Sequence, residues 1–109
     1  MAQDFKRYHN SATGTTPVVV HTSNSNDTVI SIRLANIHAS ASIVVAVYVT
    51  ISSVNYYLIR NSPIPFGSSL ELIDSGSKVV LQNGEALTVV SDTASSLDST
   101  VSMVDAVSA

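Results

Sequence analysis

Apolar and polar positions alternate with a period of two along much of this chain. In Thr28–Ala35, Ile30, Ile32 and Leu34 fall on one side, Ser31 and Arg33 on the other. That is the period of a strand, whose successive side chains point to opposite faces. In Ser42–Ile51, Ile43, Val45, Val47, Val49 and Ile51 form one face; Val44, Ala46, Tyr48 and Thr50 form the other. Both faces are largely apolar, so this strand is expected at the centre of a sheet or against a neighbouring subunit. Further strands are predicted at Pro17–Thr22, Val54–Arg60, Ser69–Ile73, Lys78–Leu81, Ala86–Ser91 and Thr100–Val107.

Turn residues separate these runs. Ser23-Asn24-Ser25-Asn26-Asp27 is a polar turn, and Ser52-Ser53 is short enough for a tight hairpin. Asp74-Ser75-Gly76-Ser77 and Gln82-Asn83-Gly84-Glu85 each place glycine where a hairpin wants positive φ, with Asn83-Gly84 the strongest such signal. About eight short strands at roughly ten-residue spacing predict an all-β fold, a small antiparallel β-sandwich or jelly roll. Residues 17–109 are assigned to that domain. Residues 1–16 are polar, lack period and end in Thr13-Gly14-Thr15-Thr16, so they are expected to form an extended N-terminal arm.

Composition strengthens the strand reading. Val, Ile and Thr supply 33 of the 109 residues, and β-branched side chains suit a pleated sheet better than a helix. Charged residues are only 12%, about half the ~25% of an ordinary soluble domain. The net charge of −3 argues against a general nucleic-acid binder, which needs a basic footprint. The first residues hold no apolar leader, and the longest apolar run, Ile43–Val49, is far short of the ~20 residues of a membrane helix. A chain made in the cytoplasm, with no membrane partner, is expected. Asn26-Asp27-Thr28 then reads as a bare turn. There is no cysteine, hence no disulfide frame or thiolate metal site.

Catalytic signatures do not emerge. None of the 19 serines sits in a G-x-S-x-G elbow. His9, His21 and His38 are too far apart in sequence for a two-histidine zinc pair on one element. The acids Glu71, Asp74, Glu85, Asp92, Asp98 and Asp105 form no calcium loop, and the four glycines form no phosphate cradle. The expectation is a non-enzyme with no cofactor and no metal.

What remains points to contacts with other proteins. A sparsely charged surface suits a subunit that is partly covered. Phe5, Lys6, Arg7 and Tyr8 put two aromatics around a dibasic pair, a candidate anchor in which rings fill a pocket and arginine meets a carboxylate. Pro63 and Pro65 stiffen their segment and hold Ile64 and Phe66 at set positions, either capping the domain's own core or offering a lip to a neighbour. Ala86–Ser91 and Thr100–Val107 carry little charge or proline, so they are expected as unguarded edge strands that pair with another subunit. Removing Met1–Tyr8 is expected to leave a folded domain.

Several blocks resemble a known group. Ala35-Asn36-Ile37 with Ala39-Ser40, Tyr56-Tyr57-Leu58-Ile59, Pro63-Ile64-Pro65 with Gly67-Ser68-Ser69-Leu70, and Val79-Val80-Leu81 with Gly84-Glu85 resemble small virion structural proteins of tailed bacteriophages, above all those of cyanophages and other marine phages. The resemblance spans most of residues 28–107. It implies a particle component located on the virion. One place is the capsid surface, as a decoration (cement) protein, commonly a β-rich trimer that contacts the major capsid protein. The other is the neck or tail, as an adaptor or fibre-attachment protein. A homo-oligomer is expected in either place. A third reading, a carbohydrate-binding or adhesion module, is weakened by the lack of tryptophan.

Overall fold

The computed structural model describes residues 4–72 and 79–105. They form nine strands and no helix: β1 Asp4–Thr13, β2 Val18–Thr22, β3 Asp27–Asn36, β4 Ile43–Ile51, β5 Val54–Ile64, β6 Ser69–Glu71, β7 Val79–Leu81, β8 Ala86–Ser91 and β9 Leu97–Asp105. One sheet has the order β1-β9-β3-β6, with β7 also pairing with β3; the other has the order β2-β8-β4-β5. All pairings are antiparallel. The predicted all-β sandwich is therefore the observed architecture.

The two sheets enclose one core. Val29, Ile32 and Leu34 of β3, Val101 and Met103 of β9, and Leu81 of β7 meet Ile43, Val45 and Val47 of β4 and Leu87 and Val89 of β8, all essentially without exposure. Each such side chain contributes roughly 1.5–3 kcal/mol by leaving water. The alternation read for β4 holds: Ile43, Val45, Val47 and Val49 are buried, Ile51 at the strand end is half-buried against the core, and Val44, Ala46, Tyr48 and Thr50 turn outward, half-buried. In β3 the alternation is broken. The register with β9 shifts between Val29 and Ser31, so Val29, Ile32 and Leu34 point inward, and Ile30, expected with them, leaves the core set. A bulge of this kind inserts one residue and reverses the phase of the side chains behind it.

Several expectations meet a different arrangement. The N-terminal segment lies along the sheet: residues Asp4 to Asn10 pair in register with Asp105 to Ser99. Its lack of period reflects an edge strand with one face in water. Because β1 covers β9, and β2 and β4 flank β8, the two strands expected at edges are both internal. Asn83-Gly84 does make a turn, with Gly84 at φ 87 and Glu85 N–H donating to Gln82 O at 3.0 Å. The turn joins β7 of one sheet to β8 of the other and closes no hairpin. Ser52-Ser53 does close one, between Ile51 and Val54, with φ of 52° and 67°. β5 runs beyond Arg60 through the prolines' segment to Ile64, and Pro63 pairs opposite Val44. Proline is tolerated there because β5 is an edge. The turn predicted at Asp74–Ser77 lies outside the described residues.

Side-chain amides and loop carbonyls fasten the sandwich ends. The buried Asn36 Nδ2 donates to Ala41 O at 2.9 Å and Ile64 O at 3.0 Å, while its Oδ1 accepts His38 N–H at 2.8 Å. At the β1–β2 crossover, Gly14 O accepts Ser91 N–H at 3.0 Å, and a Cβ on Gly14 would sit 3.2 Å from Ala94 Cα.

Candidate functional site

The densest polar cluster lies where β2 hands over to β3. Asp27 is fully buried, and its carboxylate accepts His21 Nε2–H at 2.8 Å, Ser23 Oγ–H at 2.9 Å and Ser25 Oγ–H at 3.1 Å. The Tyr8 ring stacks on the His21 ring with centroids 4.3 Å apart. In a nucleophilic triad the imidazole bridges hydroxyl and carboxylate. Here the carboxylate is the hub, and Ser23 Oγ hydrogen-bonds to the acid, not to the histidine. The arrangement is a clasp: it joins β1 and β3 of one sheet to β2 of the other. A buried carboxylate has to be partnered this way to remain in the interior. In the sequence Ser23–Asp27 reads as a polar turn, and the only hint of the clasp is an acid among serines six residues after a histidine.

The other two histidines stand apart from it. His9 Nδ1 lies 3.3 Å from Thr100 Oγ1 on the exposed face of β1. His38 Nδ1 accepts the Ser40 and Ala41 N–H groups at 3.2 and 3.1 Å. Among the described residues there is no group of three or more His, Cys, Asp or Glu suited to a metal ion. A shallow loop cavity of about 340 Å³, lined by residues 10–16, Val18, Ala94 and Ser95, offers hydroxyls and a carboxamide but no acid or base.

The residues expected to contact partners separate into two groups. Phe5, at 78% exposure, joins Lys6 and Arg7 in lining a groove of about 570 Å³ with Ile30, Ser102 and Met103. The β3 bulge is what delivers Ile30 there. Phe66 is 57% exposed on the turn between β5 and β6. Tyr8 and Ile64 face the other way. Tyr8 is half-buried on His21 and the core, and Ile64, 1% exposed, caps the domain's own core and is not available to a partner. The basic character of this face is partly consumed internally, since Arg33 Nε lies 3.2 Å from Glu71 Oε1.

A second exposed surface is the outer face of the β2-β8-β4-β5 sheet. The register sets Val19, Thr88, Tyr48 and Tyr57 in one row across its four strands. The Tyr48 and Tyr57 rings are 5.1 Å apart and tilted, and the Arg60 guanidinium lies over the Tyr57 ring at 4.9 Å. One face of the Tyr57 ring is thus covered by the protein's own arginine. The second apolar face of β4 announced this surface in the sequence; its partners on β5 and β8 required the register.

A scan against protein-family models finds no match, and a search of the curated proteins finds none either.

Proposed function

We propose that this chain is a non-enzymatic structural component of a tailed-phage particle, acting on the capsid surface as a decoration protein that holds neighbouring shell subunits through protein–protein contacts. The observation that carries the reading is the distribution of its apolar side chains. A chain with only 12% charged residues shows Phe5, Val19, Tyr57, Phe66 and Val80 at 44–78% exposure on a rigid two-sheet body. Four of the five lie on strands, Phe5 and Val80 on one sheet and Val19 and Tyr57 on the other, and exposed apolar groups on sheet faces mark contact surfaces. The resemblance of residues 28–107 to small virion proteins supplies the setting.

The mechanism is additive. Single contacts of this size are weak, but several per oligomer act together through effective concentration, so a shell subunit leaves only when many break at once. Quantitative mass spectrometry of purified particles of the virus encoding the chain tests this. Hundreds of copies per particle are expected. Six or twelve would move it to the neck or tail, and absence from the particle would overturn the reading.

A further inference from the structure

We infer that the outer face of the β2-β8-β4-β5 sheet is a two-fold self-docking surface, on which a second copy of this chain lays the same face. The inference rests on the reading that the chain is an assembly subunit, and names the surface that subunit uses for itself.

Three observations lead to a second copy as the occupant. The first is charge. A two-fold axis sets like against like, so a face carrying charge of one sign repels itself. Among the described residues this face holds one charged side chain, Arg60, which is drawn onto the Tyr57 ring. Asp92, beyond the end of β8, is already occupied by Val44 N–H and Thr93 Oγ–H. The outer face of the other sheet presents Arg7 and the Arg33–Glu71 ion pair, more charge to desolvate, and is the poorer choice for self-apposition.

The second is shape. Ala46 and Val90 are paired neighbours in the middle of the sheet, with Tyr48 and Val19 in the next row. Small side chains at the centre let two sheets approach to the ~10 Å of aligned sheet packing. No described element lies over this face.

The third is area. The four strands β2, β8, β4 and β5 have 5, 6, 9 and 11 residues, and at ~3.4 Å rise and ~4.8 Å spacing they cover roughly 500 Å². Burying the whole face then removes roughly 500 Å² per copy, or about 1,000 Å² per pair, the minimum for a specific interface. An interface this small is expected to be reversible, so monomer and dimer should exchange with concentration.

Sedimentation of the full chain from about 1 to about 500 µM provides the test. The wild type is expected to pass from monomer to dimer. Ala46→Glu is expected to weaken the dimer at least about tenfold with its circular dichroism unchanged, and Val80→Glu on the other sheet to leave it unaltered. Because the chain has no cysteine, Ala46→Cys gives a readout that survives if Ala46→Glu fails to fold. A bis-maleimide cross-linker spanning about 10 Å should link Ala46→Cys into a dimer and leave Val80→Cys unlinked. A wild type monomeric throughout, a folded Ala46→Glu that dimerises normally, or an Ala46→Cys that cross-links in particles to a different polypeptide would each overturn the inference. A chain found in particles but monomeric in solution loses this inference alone. A dimeric chain missing from particles loses only the particle reading.

Discussion

His21 on β2 and Asp27 on β3 are joined across the two sheets by a 2.8 Å hydrogen bond, with the aspartate wholly out of solvent. The contact explains how the edge strand β2 is held to a sheet it does not belong to. It also links the N-terminal strand to the sandwich, because Tyr8 stacks on the same imidazole. Removing the hub should be costly. Asp27→Ala leaves His21 and Ser25 without their acceptor and removes one of the acceptors of Ser23, whose hydroxyl also lies 2.6 Å from Ser25 O, and a loss of about 3 kcal/mol or more is expected. Asp27→Asn keeps one acceptor oxygen and should lose less. Urea unfolding of the two variants checks this; a loss below about 1 kcal/mol for Asp27→Ala would show that the clasp is incidental.

The β4–β5 hairpin turns on two serines in left-handed conformation, Ser52 at φ 52° and Ser53 at φ 67°. Two positive φ values in a two-residue loop match the twist of the strands, but serine pays for them in steric strain. Ser52→Asn with Ser53→Gly is expected to raise stability by about 1 kcal/mol, and Ser53→Val to lower it. Thermal unfolding reads both signs, and a destabilised Asn-Gly variant would contradict the turn geometry.

What was legible in the chain follows from which forces are local. The β4 alternation and the Ser52-Ser53 turn are set by neighbouring residues, and both were readable. The phase of β3 was not, since the bulge at Ile30 exists only through its register with β9. The same limit applies to the edges. Ala86–Ser91 has the composition of an exposed edge, yet it lies between β2 and β4, because edge status depends on which distant segment pairs there. Asn83-Gly84 fixes a turn but cannot say that the strands on either side go to different sheets. Among the contact candidates, Phe5, Lys6 and Arg7 come together in one groove, while Ile64 and Phe66, two residues apart, end up in the core and in solvent.

The pairing of β1 changes what truncation should do. Deleting residues 1–8 removes the partners of Val101, Ser102, Met103 and Val104 along β9, and takes Tyr8 off His21. The remaining chain would carry a long, nearly uncharged open edge, which is a template for association. The expected outcome is a drop of several degrees in Tm together with aggregation at micromolar concentration, not an intact domain that has merely lost an arm. Light scattering during thermal unfolding distinguishes the two, and a monodisperse truncated chain with unchanged Tm would restore the arm reading.

The acid limb of stability should include Asp92. The Val44 N–H, donating to Asp92 Oδ1 at 3.0 Å, holds this carboxyl below the usual aspartate range; slight desolvation opposes it, and the Thr93 hydroxyl at 2.9 Å adds to the lowering. A carboxyl whose folded pKa lies below its unfolded value of about 3.9 contributes stability that is fully present above that value and lost as pH falls through the folded one. The clip joins the start of β4 to the segment after β8, where Asp92 N–H also donates to Val44 O at 2.9 Å. Asp92→Asn should therefore be less stable than wild type by a constant, small margin between about pH 5 and pH 7, and the two should begin to converge only below about pH 4, as the folded carboxyl takes up its proton. Paired denaturant titrations across that range measure the convergence. A margin that stays constant down to about pH 2 would mean that the charge on Asp92 contributes nothing to holding β4 against the β8 loop.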